Sequence, residues 1–262
     1  MPCAVPERGA SLSDDVRDTG LKGRRVLVTG ASTGIGEAIA RDLAGRGAHV
    51  AVLARRARPL EALACEIGGV PVQADLKDPD AAADGVAAAA SGLGGGLDAL
   101  VNNAGTFRLG YVTDGLTSDW QDMVEVNILG LLAVTRAAVP HLARSPRGQI
   151  VNIGSMSGRR VSHPASGVYA GTKHAVHAMS EAIRCELHDK GIRVTVIAPG
   201  LVRTNHGGYI TDPALRADAE RDQREEGLDP RDVAAQVRHV LCTPPDVHLT
   251  EIAMFSARQY PS

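Results

Sequence analysis

The run Val26-Leu27-Val28 leads directly into Thr29-Gly30-Ala31-Ser32-Thr33-Gly34-Ile35-Gly36, and the helical stretch Glu37 to Arg46 follows. A strand that ends in a glycine-rich turn and opens a helix brings backbone N–H groups and the positive end of a helix up to one point, where a pyrophosphate is favoured. Any single glycine turn is often only a turn. This one has the strand before it and the helix after it that the inference requires, with spacing T-G-x-x-x-G-x-G rather than G-x-G-x-x-G.

The rest of the chain repeats that alternation. Apolar runs stand at His49 to Ala54, Val70 to Ala74, Leu97 to Asn102, Gln149 to Ile153, Ile192 to Ile197 and Thr250 to Phe255. Helical patterns lie between them at Pro59 to Ile67, Pro79 to Ala90, Ser118 to about Arg144, through Tyr169 to about His188, and at Asp232 to Leu241. Short apolar strands alternating with helices predict an α/β fold, a Rossmann-like doubly wound seven-stranded parallel sheet with helices on both faces. One domain is expected from residue 21 to 262, after a loose tail over residues 1–20. The arginine- and acid-rich stretch at about 203–228 is expected to be a lid. Ser118 with Gln121 has the form of a capping box. In the helix after it, Val126, Ile128, Leu131, Leu132, Val134 and Val139 cover more than one face, so a subunit contact is expected there.

A chain of 262 residues that is 44% hydrophobic can bury a full core. A net charge of -2 with no basic stripe, and aromatics at only 3%, argue against a nucleic-acid partner. Cys3, Cys65, Cys185 and Cys242 are far apart and lack metal-site or disulfide spacing, which fits a reducing cytoplasm. His174 and His177 share the helix of Tyr169 but have no third ligand placed beside them, so no metal site is expected. The N-terminal stretch has no apolar core, and no run is expected to span a membrane.

Tyr169 and Lys173 stand four apart in Tyr169-Ala170-Gly171-Thr172-Lys173. On a helix that spacing puts them on one face, about 6 Å apart along the axis. An adjacent ammonium stabilises a phenolate, and a phenol made more acidic can act as general acid and base. Alone, the same spacing also describes an amphipathic surface pair. At the end of the second strand, an acidic residue would meet a ribose hydroxyl, whereas arginine accommodates a 2′-phosphate. Ala54 occupies that position and Arg55 and Arg56 follow, which favours NADP(H).

With these residues in place the chain resembles the short-chain dehydrogenase/reductase family over about Lys22 to Gln259. The resemblance is carried by Thr29 to Gly36, Asp75-Leu76, Asn102-Asn103-Ala104-Gly105, Asn127, Ser155, the Tyr169 to Lys173 run, and Pro199-Gly200-Leu201-Val202-Arg203-Thr204. It implies a hydride transfer between nicotinamide and a small-molecule carbonyl or alcohol. Tyr169 would donate the proton, Ser155 would hydrogen-bond the same oxygen, Lys173 would acidify Tyr169 and hold the ribose, and Asn127 would hold a relay water. For the cofactor it implies Gly30, Ser32, Thr33, Gly34, Ile35, Gly36, Arg55, Arg56, Asp75 and Leu76, then Asn103, Ala104 and Gly105 with Asn102 in support, then Tyr169 and Lys173, and finally Pro199, Gly200, Val202 and Thr204. Phe107, Arg108, Met156, His163, His206 and Tyr209 fall where the family lines its substrate pocket; Arg108 or His206 would there meet an anionic group, with plain surface exposure the equal alternative.

The chain is similar, more narrowly, to reductases of the clavulanic acid dehydrogenase type, through Ala54 to Arg56, Asn127 to Leu131, Thr135 to Leu142, and Glu251-Ile252 followed by Gln259. The family also implies a homodimer or homotetramer through the helices around 119–144 and 168–188. The expected activity is reduction of a ketone or aldehyde. A secondary-metabolite dehydrogenase or epimerising oxidoreductase on the same residues, and a nucleotide sensor without turnover, are the alternatives. An intact Asn127, Ser155, Tyr169 and Lys173 argues against the sensor.

Overall fold

The computed structural model describes residues 20–204, 210 and 212–259. The expected tail lies outside these residues except for Gly20, and so do residues 205–209 and 211 of the expected lid, with His206 and Tyr209 among them. Seven strands form one parallel sheet: β1 (Arg25–Thr29), β2 (His49–Ala54), β3 (Val70–Gln73), β4 (Ala99–Asn102), β5 (Gln149–Ile153), β6 (Arg193–Pro199) and β7 (Glu251–Met254). Their order is β3-β2-β1-β4-β5-β6-β7, as a doubly wound sheet requires.

The helices are α1 (Gly34–Ala44), α2 (Ala57–Ile67), α3 (Pro79–Gly92), α4 (Thr117–Val124), α5 (Leu131–Leu142), α6 (Gly167–Glu186), α7 (Pro213–Glu226) and α8 (Pro230–Leu241). Alternation along each strand sends neighbouring side chains to opposite faces. Val26 and Val28 of β1 therefore pack with Ile39 and Leu43 of α1 and Val233 and Val237 of α8. Leu27, between them, packs on the other side with Val86 of α3 and Val134, Ala138 and Leu142 of α5. Burying each such valine or leucine side chain contributes roughly 1.5–3 kcal/mol, which drives both layers onto the sheet.

The chain winds outward from β1 through β2 to β3, then returns to pair β4 on the other side of β1, with Val26 opposite Ala99 and Val28 opposite Val101. The loops after β1 and β4 diverge at this reversal and leave a crevice at the strands' carboxyl ends.

Three sequence expectations change here. The expected capping box at Ser118 and Gln121 does not form: α4 starts one residue earlier, at Thr117, with no side-chain cap. The carbonyl of Leu116 already takes the N–H groups of Asp119 and Trp120, which places Ser118 inside the first turn. The long helix is also not uniformly α, because Glu125–Gly130 is π-helical. Finally, the continuous helix Thr117–Leu142 has the length and apolar composition to cross a membrane. Here that apolar surface covers the sheet instead, since Val134, Ala138 and Leu142 are fully buried in the core.

Candidate active site

At the carboxyl edge of the sheet lies a cleft of about 600 Å³. Arg55 and Arg56 follow β2 and Ser155 follows β5, with β1 and β4 between them. Three strand spacings separate those groups, roughly 14 Å at about 4.8 Å each, which is a dinucleotide's scale.

The β1–α1 turn is built by close approach. Gly30 has φ +64, and a Cβ there would come within 2.6 Å of Ala104 Cα, so the turn packs directly on the loop after β4. A Cβ at Gly36 would come within 2.4 Å of Asn103 Nδ2. Asn103 holds the two segments together by donating Nδ2 to the carbonyls of Thr29 (2.9 Å) and Gly30 (3.2 Å). Thr33 precedes α1 without capping it, so its hydroxyl leaves the first-turn N–H groups to an anion. That hydroxyl instead accepts from Arg56 Nη2 at 3.1 Å, as does Ser32 Oγ. Arg55 lies 3.9 Å from Asp75.

Gly30, Ser32, Thr33, Ile35, Arg55, Arg56, Asp75 and Leu76 line one side of the cleft. Asn103, Ala104 and Gly105 form its floor, and Pro199, Gly200, Val202 and Thr204 form the opposite wall. Gly34 and Gly36 shape the turn from behind that surface. Asn102, the expected support, belongs to the core instead. It is buried, and its Nδ2 donates to Thr135 Oγ1 and Asn152 Oδ1, both at 2.9 Å. Asn152 in turn donates to Ser180 at 2.8 Å, so this polar chain ties β4 and β5 to α5 and α6.

At the other end, Ser155, Tyr169 and Lys173 converge on the cleft. The Lys173 ammonium donates to the carbonyl of Ile153 (2.9 Å), at the end of β5, and lies 5.9 Å from the centroid of the Tyr169 ring. Ser155 Oγ accepts the N–H of Ser157 at 3.0 Å, which orients the hydroxyl and leaves its proton free to donate. Phe107 meets the Tyr169 ring edge-on at 4.7 Å and fixes its plane. Although Tyr169 as a whole is half-buried, burial pushes its phenol up to about 12, against a Ser155 hydrogen bond that pulls it down. Burial also pushes the Lys173 ammonium down to about 8. Burial and the Ser155 hydrogen bond set the Tyr169 shift, and the expected acidification by Lys173 is not among its causes in this cofactor-free state.

Asn127 sits in the π-helical segment and is buried. Its Oδ1 accepts from Thr106 N–H (2.8 Å), and its Nδ2 donates to Thr106 O (3.0 Å) and Thr172 Oγ1 (3.1 Å). Gly105 packs between it and the lysine, since a Cβ there would be 3.3 Å from Asn127 Oδ1 and 3.8 Å from Lys173 Nζ. The asparagine therefore fixes the loop behind the lysine from just outside the cleft surface.

Of the residues expected in a substrate pocket, Phe107, Met156 and His163 line the cleft. Arg108 does not: Asp119 (3.2 Å) and Asp122 (3.1 Å) of α4 hold it, so it is not available to an anionic group. Sequence reasoning missed Arg160, Phe255 and the α7 residues Leu215 and Gln223, all of which line the cleft. A signal for α7 existed in Asp212-Pro213, since Asp212 caps the helix and Pro213 is its first residue.

Fold and site together define a dinucleotide-binding oxidoreductase scaffold with a serine, tyrosine and lysine centre. The short chain dehydrogenase family model matches residues 24–214, and the chain belongs to that family of oxidoreductases. It is similar to the dehydrogenase/reductase SDR family member 11 of Bos taurus, 38% identical over 90% of this chain and 97% of that one. Among solved structures, the Thermococcus sibiricus alcohol dehydrogenase complexed with 5-hydroxy-NADP superposes with a TM-score of 0.81 at 29% identity, covering 91% of this chain and 99% of that one. A short chain dehydrogenase from Burkholderia cenocepacia in complex with NADP gives 0.79 at 32% identity, covering 90% and 98%.

Proposed function

We propose that this protein is an NADP(H)-dependent oxidoreductase that moves a hydride between nicotinamide and a carbonyl or alcohol carbon, working as a ketone or aldehyde reductase. The observation that carries this reading is a single cleft with Arg55 and Arg56 after β2 and with Ser155, Tyr169 and Lys173 across the switch point. The close-packed glycine turn and the uncapped start of α1 fit a pyrophosphate, and two arginines at the end of β2 fit a 2′-phosphate. The NADP-bound relatives support the same choice.

NADPH, when bound, supplies the hydride. Negative charge then develops on the substrate oxygen, and the Ser155 hydroxyl and Tyr169 phenol are the donors placed to meet it. Tyr169 gives its proton to that oxygen, which completes the alcohol. Lys173, anchored on Ile153 O, keeps further N–H donors for a ribose hydroxyl and, once charged, stabilises the phenolate left behind.

The narrower likeness to clavulanic acid dehydrogenase-type reductases includes Gln259, whose Oε1 accepts from Leu201 N–H at 3.0 Å beside Gly200. We infer that α7 covers bound substrate, because its residues Leu215 and Gln223 form part of the cleft wall. Homodimers or homotetramers through α4, α5 and α6 fit the exposed apolar residues described below. A cytoplasmic setting fits Cys65, Cys185 and Cys242, which are free thiols.

The test is Tyr169→Phe. Loss of NADPH oxidation across a panel of ketones and aldehydes is expected, by a factor of about 10²–10⁴ or more, with NADPH affinity nearly unchanged. Undiminished turnover in the variant would exclude this mechanism.

A further inference from the structure

We propose that Arg160 recognises a carboxylate on the substrate, so that the preferred substrates are oxo acids rather than neutral ketones and aldehydes. The inference rests on the oxidoreductase reading above and deepens it. Arg160 lines the cleft five residues after Ser155, and its backbone is fixed by an N–H bond to Met156 O (3.3 Å) at the end of the 3₁₀ turn Met156–Gly158. Its guanidinium carbon lies over the Phe255 ring, 5.2 Å from the centroid. Phe255 is itself fixed, with its Cδ1 only 2.8 Å from where a Cβ on Gly200 would lie. The contact therefore joins the wall that carries Ser155 to the wall that follows β6.

A guanidinium held over a ring face by cation–π attraction keeps the N–H donors that point away from the ring, and such donors suit a carboxylate. The cation–π contact also restricts a long side chain before ligand arrives, which reduces the rotamer entropy lost on binding.

Other arginines near the cleft are engaged elsewhere. Arg221 is shared between Asp218 (2.8 Å) and Asp222 (3.1 Å) of α7, so it is engaged by acids of its own helix. Arg108 is held by Asp119 and Asp122, while Arg55 and Arg56 belong to the far end. Among the described residues Arg160 has no carboxylate partner, and Ser162, two residues on, also lines the cleft.

The experiment compares acetoacetate and levulinate with their methyl esters under NADPH, and measures levulinate binding to the complex of the full chain with NADP⁺ by calorimetry. The native enzyme is expected to favour the acids over the esters roughly tenfold or more in kcat/KM, as a charge-assisted bond predicts. In Arg160→Met the acid-to-ester ratio should fall toward one and levulinate binding should weaken roughly tenfold, with Arg160→Lys recovering only part of each. An acid-to-ester ratio that Arg160→Met leaves intact, a native preference for the esters, or no native levulinate binding overturns the proposal. Ester turnover without acid preference removes the carboxylate subsite alone. Levulinate binding that depends on Arg160, without turnover of any carbonyl compound, removes the oxidoreductase reading and leaves the subsite standing.

Discussion

Arg55 and Arg56 illustrate how far single residues could be read. Their type and place after β2 were legible, and both line the cleft, but their partners were not. Arg56 is held by the hydroxyls of Ser32 and Thr33, so it stands beside the phosphate turn itself. Arg56→Ala should therefore raise the Kd for NADPH roughly tenfold or more and change that for NADH much less, measured by cofactor titration; an equal effect on both would remove the 2′-phosphate assignment. The catalytic pair carries a second prediction. Lys173 is lowered by burial from its ordinary 10.5 to about 8, so between those values the unfolded chain holds a proton that the folded chain has lost. Stability must rise with pH across that window, by at most about 1.4 kcal/mol per pH unit. Tyr169 is raised by burial from 10.0 to about 12, so its contribution is complete below pH 10 and is lost as pH climbs toward 12. In cofactor-free protein, denaturant midpoints should increase from pH 8 toward 10 in the native chain, and Lys173→Met should flatten that rise. The identity and spacing of the pair could be read from sequence. The burial that shifts both groups depends on atoms brought together only by folding.

Among the elements, the strands were the most legible, because apolar runs bounded by turn residues leave few choices once a parallel sheet is assumed. His49–Ala54 and Gln149–Ile153 fall where the pattern puts them. The π-helical segment Glu125–Gly130 was invisible, since its residues have the same apolar periodicity as the α-helix around them. Its cause is a packing demand. A Cβ on Gly130 would lie 2.9 Å from Leu76 O and 3.3 Å from Glu125 O, so the helix presses its backbone onto the loop after β3. The widened turn also carries Asn127 to Thr106 and Thr172. Segments of this kind are frequent where a helix must present a functional residue. Gly130→Ala should push against Leu76, which lines the cleft, and cost about 1–3 kcal/mol of stability while weakening NADPH binding. Thermal unfolding with and without NADPH checks this, and a variant as stable and as tightly binding as the native chain would show that the approach is not required.

At the scale of the whole molecule, one buried side chain secures the edge of the sheet remote from the cleft. Arg24 lies 2% exposed where the chain enters β1, donating to Leu241 O at the end of α8, to Gln149 Oε1 at the start of β5, and to Arg147 O (3.0 Å). That clasp leaves the carboxyl edge free to vary, as a site at the switch point requires. Val124 (39% exposed), Leu129 (52%) and Leu132 (37%) stand on the outer side of the helix whose inner side covers the sheet. Three large apolar side chains at spacings of three to five residues form a stripe, and a stripe of this kind on a helix rich in core contacts is favoured as a subunit interface. Leu129→Glu places a charge at its most exposed point, where a desolvated carboxylate without a partner is strongly unfavourable. The variant should sediment as a smaller species than the native chain at the same concentration, with the monomer's secondary structure retained by circular dichroism. Identical sedimentation of the two would show that this face stays in water, and the assembly, if one forms, would then have to use α6 without it.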